Sequence, residues 1–183
     1  IQWMFTTAPF PRPSPGLFLA VISHAFPPNM AHLFGNVAVL WVVAGESEQH
    51  MLRSEVIGFF AMTGLAAVLV GTAVSGDSTL GASGAAFGFL GYYCIHMILG
   101  HRDEFRFEAL TTGDPAETPL RTYWGIMLVL MPVVLVPYML GQLIGLFPAG
   151  RADIIGHLSG FLCGMSYAVV RNRIVEGASH SQQ

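Results

Sequence analysis

Residues Thr79–Leu99 read TLGASGAAFGFLGYYCIHMIL, a run without a single Asp, Glu, Lys or Arg. Its length matches the ~20 apolar residues that carry a helix across a bilayer core. Barrel strands would be about ten residues long and alternate in polarity, which this run does not do. Lipid offers the backbone no hydrogen-bond partner, so such a stretch folds as a helix. Its first half, Gly81-Ala82-Ser83-Gly84-Ala85-Ala86-Phe87-Gly88, is dense in small residues. Gly84 and Gly88 have the Gly-x-x-x-Gly spacing at which membrane helices touch.

The pattern recurs on both sides of this run. Val56–Ser75, Thr122–Ala149 and Ile154–Val170 also lack charged residues, and Asn29–Gly45 is apolar apart from Asn29, His32 and Asn36 near its start. The expected fold is an all-α integral membrane protein with five transmembrane helices in this chain. Composition agrees: 53% of the 183 residues are hydrophobic, 10% are charged, and mean hydropathy is +0.58. A soluble domain carries roughly a quarter charged residues. Net charge is −3 with no basic cluster, which argues against nucleic-acid binding.

Segment 1–28 interleaves Pro9, Pro11, Pro13 and Pro15 with Trp3, Phe5, Phe10 and Phe18. Proline at this density excludes a helix interior and aromatics favour the headgroup level, so an interfacial loop is expected there. The transmembrane core is expected over 29–172, with a charged linker at His101–Arg121 and a cytoplasmic tail at 173–183. With the 1–28 loop outside, Arg53, Arg102, Arg106, Arg121, Arg171 and Arg173 fall on the cytoplasmic side of five alternating spans. Only Arg12 and Arg151 fall outside, as the positive-inside rule prefers. This orientation, with a cytoplasmic C-terminus and a multi-pass place in the plasma membrane, brings His32, Asn36, Ser83 and His157 to one depth near the outer face.

Chemistry enters with that layer. Glycine around Ser83 lets a substrate approach the backbone, and exposed amides can hold an oxyanion. Taken alone, the helix-packing reading of this glycine-rich segment outweighs the catalytic one. The second signal is Gly156-His157-Leu158-Ser159-Gly160, with Gly164 four residues on. An ionisable residue inside a span is a functional hypothesis by default, set against a His bonded to a nearby carbonyl. At helical spacing His157, Gly160 and Gly164 share one face, and Ser83, Gly84, Phe87 and Gly91 share another. Two such faces can bring a serine and a histidine within hydrogen-bond reach, so packing and catalysis are complementary. The third signal is His32 and Asn36, four apart and both able to donate hydrogen bonds. No carboxylate or cysteine accompanies them at that depth, which disfavours a metal site; two donors facing an alkoxide fit better.

Gly-x-Ser-Gly opening one span, a His followed by small residues in the last, and His-x-x-x-Asn opening an earlier one resemble the rhomboid protease family over about residues 5–172. The resemblance implies an intramembrane serine protease acting on transmembrane protein substrates through a Ser-His dyad, without cofactor. In it Ser83 attacks, His157 activates, and His32, Asn36 and the Ser83 amide hold the oxyanion. Phe87, Gly81, Gly84 and Gly160 support the site, Phe87 falling where the family often stacks an aromatic ring on the histidine. Glu48 resembles a structural Glu near the inner end of a family helix, and the family's first helix is expected upstream of Ile1. Leu17-Phe18 stand where relatives often carry Trp-Arg, Pro27 and Pro28 occupy a stretch where a further His is common, and Phe87 lacks a hydroxyl.

The alternative is an inactive rhomboid-like protein that binds membrane helices; such relatives typically lack the Ser or the His, and this chain has both. A transporter would line ionisable groups along the midplane, where only His96, near the inner end of its span, departs from the outer layer. Cys94 and Cys163 fall at different depths and are expected as thiols. Thr122–Ala149, about 28 residues with Pro132, Pro137, Gly141 and Gly145, is either a substrate gate, with Leu143, Leu146 and Phe147 as its plug, or a tilted helix whose prolines are absorbed by its neighbours.

Overall fold

The computed structural model describes residues 20–22, 30–48, 50–75, 82–100, 120–146 and 151–180. Five helices follow in chain order: α1 (Met30–Ser47), α2 (Arg53–Ser75), α3 (Ser83–Gly100), α4 (Leu120–Leu143) and α5 (Arg151–His180). Among the described residues there is no strand. Two segments, Arg53–Val74 and Ile154–Ile174, are long and apolar enough to cross a membrane; Asn36–Gly45 and Val133–Gln142 are shorter apolar stretches.

Local chemistry sets the helix ends. The Val56 amide donates to the Leu52 carbonyl at 2.9 Å, and the Glu55 carboxylate reaches back to the Leu52 amide at 3.3 Å. That is the carboxylate half of a capping box, and it starts α2 at Arg53. The Ala86 amide donates to the Ala82 carbonyl at 2.9 Å, so α3 begins at Ser83, four residues after the expected Thr79. Residues 79–81 lie outside the described residues. At the other end of α4, the Leu146 amide donates to the Gly141 carbonyl and the Gly145 amide to Gln142. Gly145 sits at φ 84° between them. This is a Schellman ending, which needs a left-handed residue and uses glycine for it. It halts α4 at Leu143, short of the expected Ala149, although the helix runs unbroken through Pro132 and Pro137.

The closest pairing in the bundle is α3 against α5. A Cβ on Gly160 would run into the Gly84 carbonyl oxygen, one on Gly164 into that of Gly88, and one on Gly91 into that of Phe161. Numbers rise together along this seam, so the two helices are parallel. On the opposite side of α3, Gly84 lies against Ala67 and Gly88 against Thr63, which makes α2 antiparallel to it. The α1–α2 link is short, so α1 begins at the same end of the bundle as α3 and α5. α1 packs lightly on α3, and α4 packs lightly on α3 and α5. Below the glycines the seam fills with rings: Phe59 meets Phe89 edge-on at 4.8 Å and Tyr92 at 5.6 Å.

The surface is as rich in large apolar side chains as the interior. Trp41 (81% exposed), Ile57 (71%), Val134 (68%) and Ile174 (66%) face outward, whereas Ser47, Thr63 and Thr72 are buried. So much exposed apolar surface would aggregate in water and is ordinary in lipid. Interior hydroxyls bond back one turn, Ser47 Oγ to Val43 O and Thr63 Oγ1 to Phe59 O, each at 2.8 Å. Those bonds satisfy the Ser47 and Thr63 hydroxyl protons away from water.

Of segment 1–28, the described residues 20–22 lie beside α2. Ala20 and Val21 are fully buried and pack on Phe60, Leu65 and Val68. Val21 fills the groove at Gly64, about halfway along α2 rather than at its end. The notch a glycine leaves, and the apolar Ala20-Val21-Ile22 run, explain that depth.

Backbone contact at the seam makes a stability prediction. Gly164→Ala should lower stability by about 1–3 kcal/mol, the usual range for overpacking. Gly58→Ala, where a Cβ meets nothing within 4 Å, should be neutral or slightly stabilising. Thermal unfolding of both variants in one detergent checks it; equal midpoints would mean the seam tolerates separation.

Candidate active site

Ser83 is the first residue of α3 and 7% exposed. A residue there keeps its amide N–H out of the intrahelical ladder, because the first four donors of any helix lack an acceptor one turn back. The amide also sits at the positive end of the helix dipole. Ser83 thus carries both a hydroxyl and a backbone donor outside the helical ladder. Ala82, Gly84, Ala85 and Ala86 around it are all buried.

Phe87 follows one turn later on the same face, half-buried. Its ring stacks on the imidazole of His157, with centroids 4.4 Å apart and planes 17° from parallel. His157 lies in the second turn of α5 and is itself half-buried. The Gly84–Gly160 contact is one residue from Ser83 and three from His157, so the glycine seam holds the serine and histidine at the same end of the α3/α5 pair. Asn36 occupies the second turn of α1, half-buried, at that same end of the bundle. The side chain of His32, and all of Gly81, lie outside the described residues.

The other end of the seam holds a polar group that sequence reading missed. Glu55 Oε1 accepts from the Tyr167 hydroxyl at 2.6 Å and from Arg171 Nε at 2.8 Å. A second Arg171 nitrogen donates to the His50 carbonyl. His96 Nδ1 lies 3.3 Å from Asn172 Oδ1, its ring stacked on Tyr92 (5.3 Å, 12°) and 4.6 Å from that of His50. One expectation changes here. Glu48 is exposed, and the carboxylate that ties helices together is Glu55. His96 is 6% exposed, inside the bundle. The one available signal was Tyr167 and Arg171, one helical turn apart at a span end; their partner lies more than a hundred residues away in sequence.

Neither Cys94 nor Cys163 forms a disulfide. Among the described residues, no three His, Cys, Asp or Glu side chains converge as a metal site would require.

Residues 15–174 match the family model of the Rhomboid domain. The chain belongs to the rhomboid family. No curated protein and no solved structure matches it. Rhomboids are generally serine proteases that act on transmembrane substrates within the membrane. Membership and the two long apolar helices make this a membrane protein.

The Phe87 stack carries its own prediction for this rhomboid. An aromatic contact of this kind contributes ~0.5–1.5 kcal/mol. Phe87→Ala should therefore slow the reaction of Ser83 with a soluble fluorophosphonate by about two- to tenfold, whereas Phe87→Tyr, which keeps the ring, should stay near wild type. If both variants react alike, the ring does not orient His157.

Proposed function

We propose that this rhomboid is an active intramembrane serine endopeptidase with Ser83 as nucleophile and His157 as general base. The observation that carries the reading is the Phe87–His157 stack one turn below a serine at the start of a helix, at the glycine-tight end of the seam. A serine hydroxyl is a poor nucleophile until a base takes its proton, so His157 must be neutral at working pH. Ser83 Oγ attacks the scissile carbonyl while His157 takes the hydroxyl proton. The tetrahedral oxyanion receives hydrogen bonds from the Ser83 amide, Asn36 and His32. His157 then gives its proton to the leaving amine, and the same cycle with water releases the acyl group.

In this reading all five helices span the membrane, with the Ser83 end toward the extracytoplasmic side. Water can reach that depth. Arg171 and Arg173 then face the cytoplasm, as positive-inside placement favours. α4, the sparsely packed helix, gives way to a substrate arriving from lipid. Leu146 is 69% exposed and so does not close the groove as a plug.

Detergent-purified protein incubated with a transmembrane reporter tests the reading. Ser83→Ala and His157→Ala should each abolish cleavage, and the double variant should lose no more, because the two act as a unit. Turnover by folded Ser83→Ala would overturn the assignment, and an inert wild type that binds the reporter would indicate a helix-binding rhomboid. Asn36→Ala should lower turnover up to about a hundredfold with little change in KM, the mark of an oxyanion donor. A change confined to KM would make Asn36 a docking residue.

A further inference from the structure

The small residues of α5 recur every fourth position: Gly156, Gly160, Gly164 and Ala168. Against α3 they meet Gly84 and Gly88 in the observed register, Gly160 on Gly84 and Gly164 on Gly88. Moving α5 by one turn toward the Arg171 end would place Gly156 on Gly84 and Gly160 on Gly88. Backbone would again meet backbone, and Gly164 would face Tyr92. Glycine packing alone therefore accepts two registers, a degeneracy inherent in repeated small-residue motifs. The second register moves His157 by about 6 Å, four residues at the helical rise, and takes it off Phe87.

The polar group at the far end is not degenerate. Glu55 is fixed by its place in the first turn of α2, where Oε2 also caps the helix through the Leu52 amide. Its Oε1 accepts from Tyr167 and Arg171, which are adjacent turns of α5. Arg171 also donates to the His50 carbonyl in the α1–α2 link, and His96 of α3 meets Asn172 beside it. A one-turn slide of α5 breaks every one of these contacts and leaves the Glu55 charge without Arg171. Partly buried polar groups with specific partners are well suited to specifying register in this way.

We infer that Glu55, with Arg171 and Tyr167, sets the register of α5 and so positions His157 against Ser83 and Phe87 from the opposite end of the bundle. These are positioning residues; none touches the reacting atoms. By the helical rise, Arg171 lies about 21 Å along α5 from His157. The inference rests on the protease reading.

The rate at which a soluble fluorophosphonate labels Ser83 tests it, because that rate reports Ser–His alignment and needs no transmembrane substrate. Glu55→Gln and Arg171→Met should each lower the labelling rate at least tenfold at temperatures well below their unfolding midpoints, since a misplacement of about 1 Å can already lower rates a hundredfold. The combined variant should lose little more than either single one. Labelling of the single variants should also lose the pH dependence that a neutral imidazole base imposes. Glu55→Asp, which keeps the charge, should recover part of the rate. Two variants from opposite sides of the ion pair guard against one simply failing to fold. Wild-type labelling rates in folded Glu55→Gln and Arg171→Met would overturn the inference while leaving the protease reading intact. A wild-type protein whose Ser83 does not react would overturn both.

Discussion

Where α3 crosses α5, the carbonyl oxygens of Gly84 and Gly88 occupy the space that side chains at positions 160 and 164 would need. Apolar side chains gain nothing by leaving lipid for one another, so helices in a membrane associate through close van der Waals contact. Glycine on both faces brings the backbones to that distance. Three of the proposed site residues lie within about one turn of this contact: Ser83 beside Gly84, Phe87 beside Gly88, His157 one turn before Gly160. On its other face α3 is held by Ala67 and Thr63 of α2, so it is fixed from two sides and cannot rotate its serine away.

The two ends of the seam solve different problems. At the Ser83 end the side chains are small, and the polar atoms belong to a helix start whose amides have no partner within the helix. At the Arg171 end they are large and charged, and they tie α1, α2, α3 and α5 together. Between them, Phe59, Phe89, Tyr92 and Tyr167 fill the bundle with rings. Hydroxyls along the way, such as Ser47 and Thr63, satisfy themselves on their own helices. α4 rests on α3 and α5, and α1 on α3, each more lightly than α2 and α5 grip α3.

Local patterns made much of this visible in the amino-acid sequence. The apolar runs correspond to helices, and the four-residue spacing of Gly84 and Gly88, and of Gly160 and Gly164, anticipated the faces that meet. Phe87 was expected beside His157 because both the resemblance and helical spacing put it there. Other features depended on relations that no local pattern carries. The start of α3 at Ser83 and the end of α4 at Gly145 follow from individual capping hydrogen bonds. Glu48 and Glu55 are seven residues apart and equally plausible as structural carboxylates until Tyr167 and Arg171 are brought against one of them. Val21 reaches the middle of α2 only because Gly64 leaves a notch there. The burial of His96 involves His50 and Asn172, which lie on other elements.

The location of charge follows from the cost of burying it. Moving an ion out of water costs several kcal/mol even after relaxation. The Glu55–Arg171 pair meets that cost where both side chains keep 21–24% of their surface exposed, near the end of the bundle. At the other end, orienting His157 with a carboxylate would bring a second ionisable group into surroundings of Ala82, Gly84, Ala85 and Ala86. The Phe87 ring stacks on the imidazole and adds no charge. An aromatic stack on His157 and an ionic clamp at the opposite end are therefore two answers to one constraint: in lipid, alignment must come from shape wherever water is scarce, and from charge only where water is near.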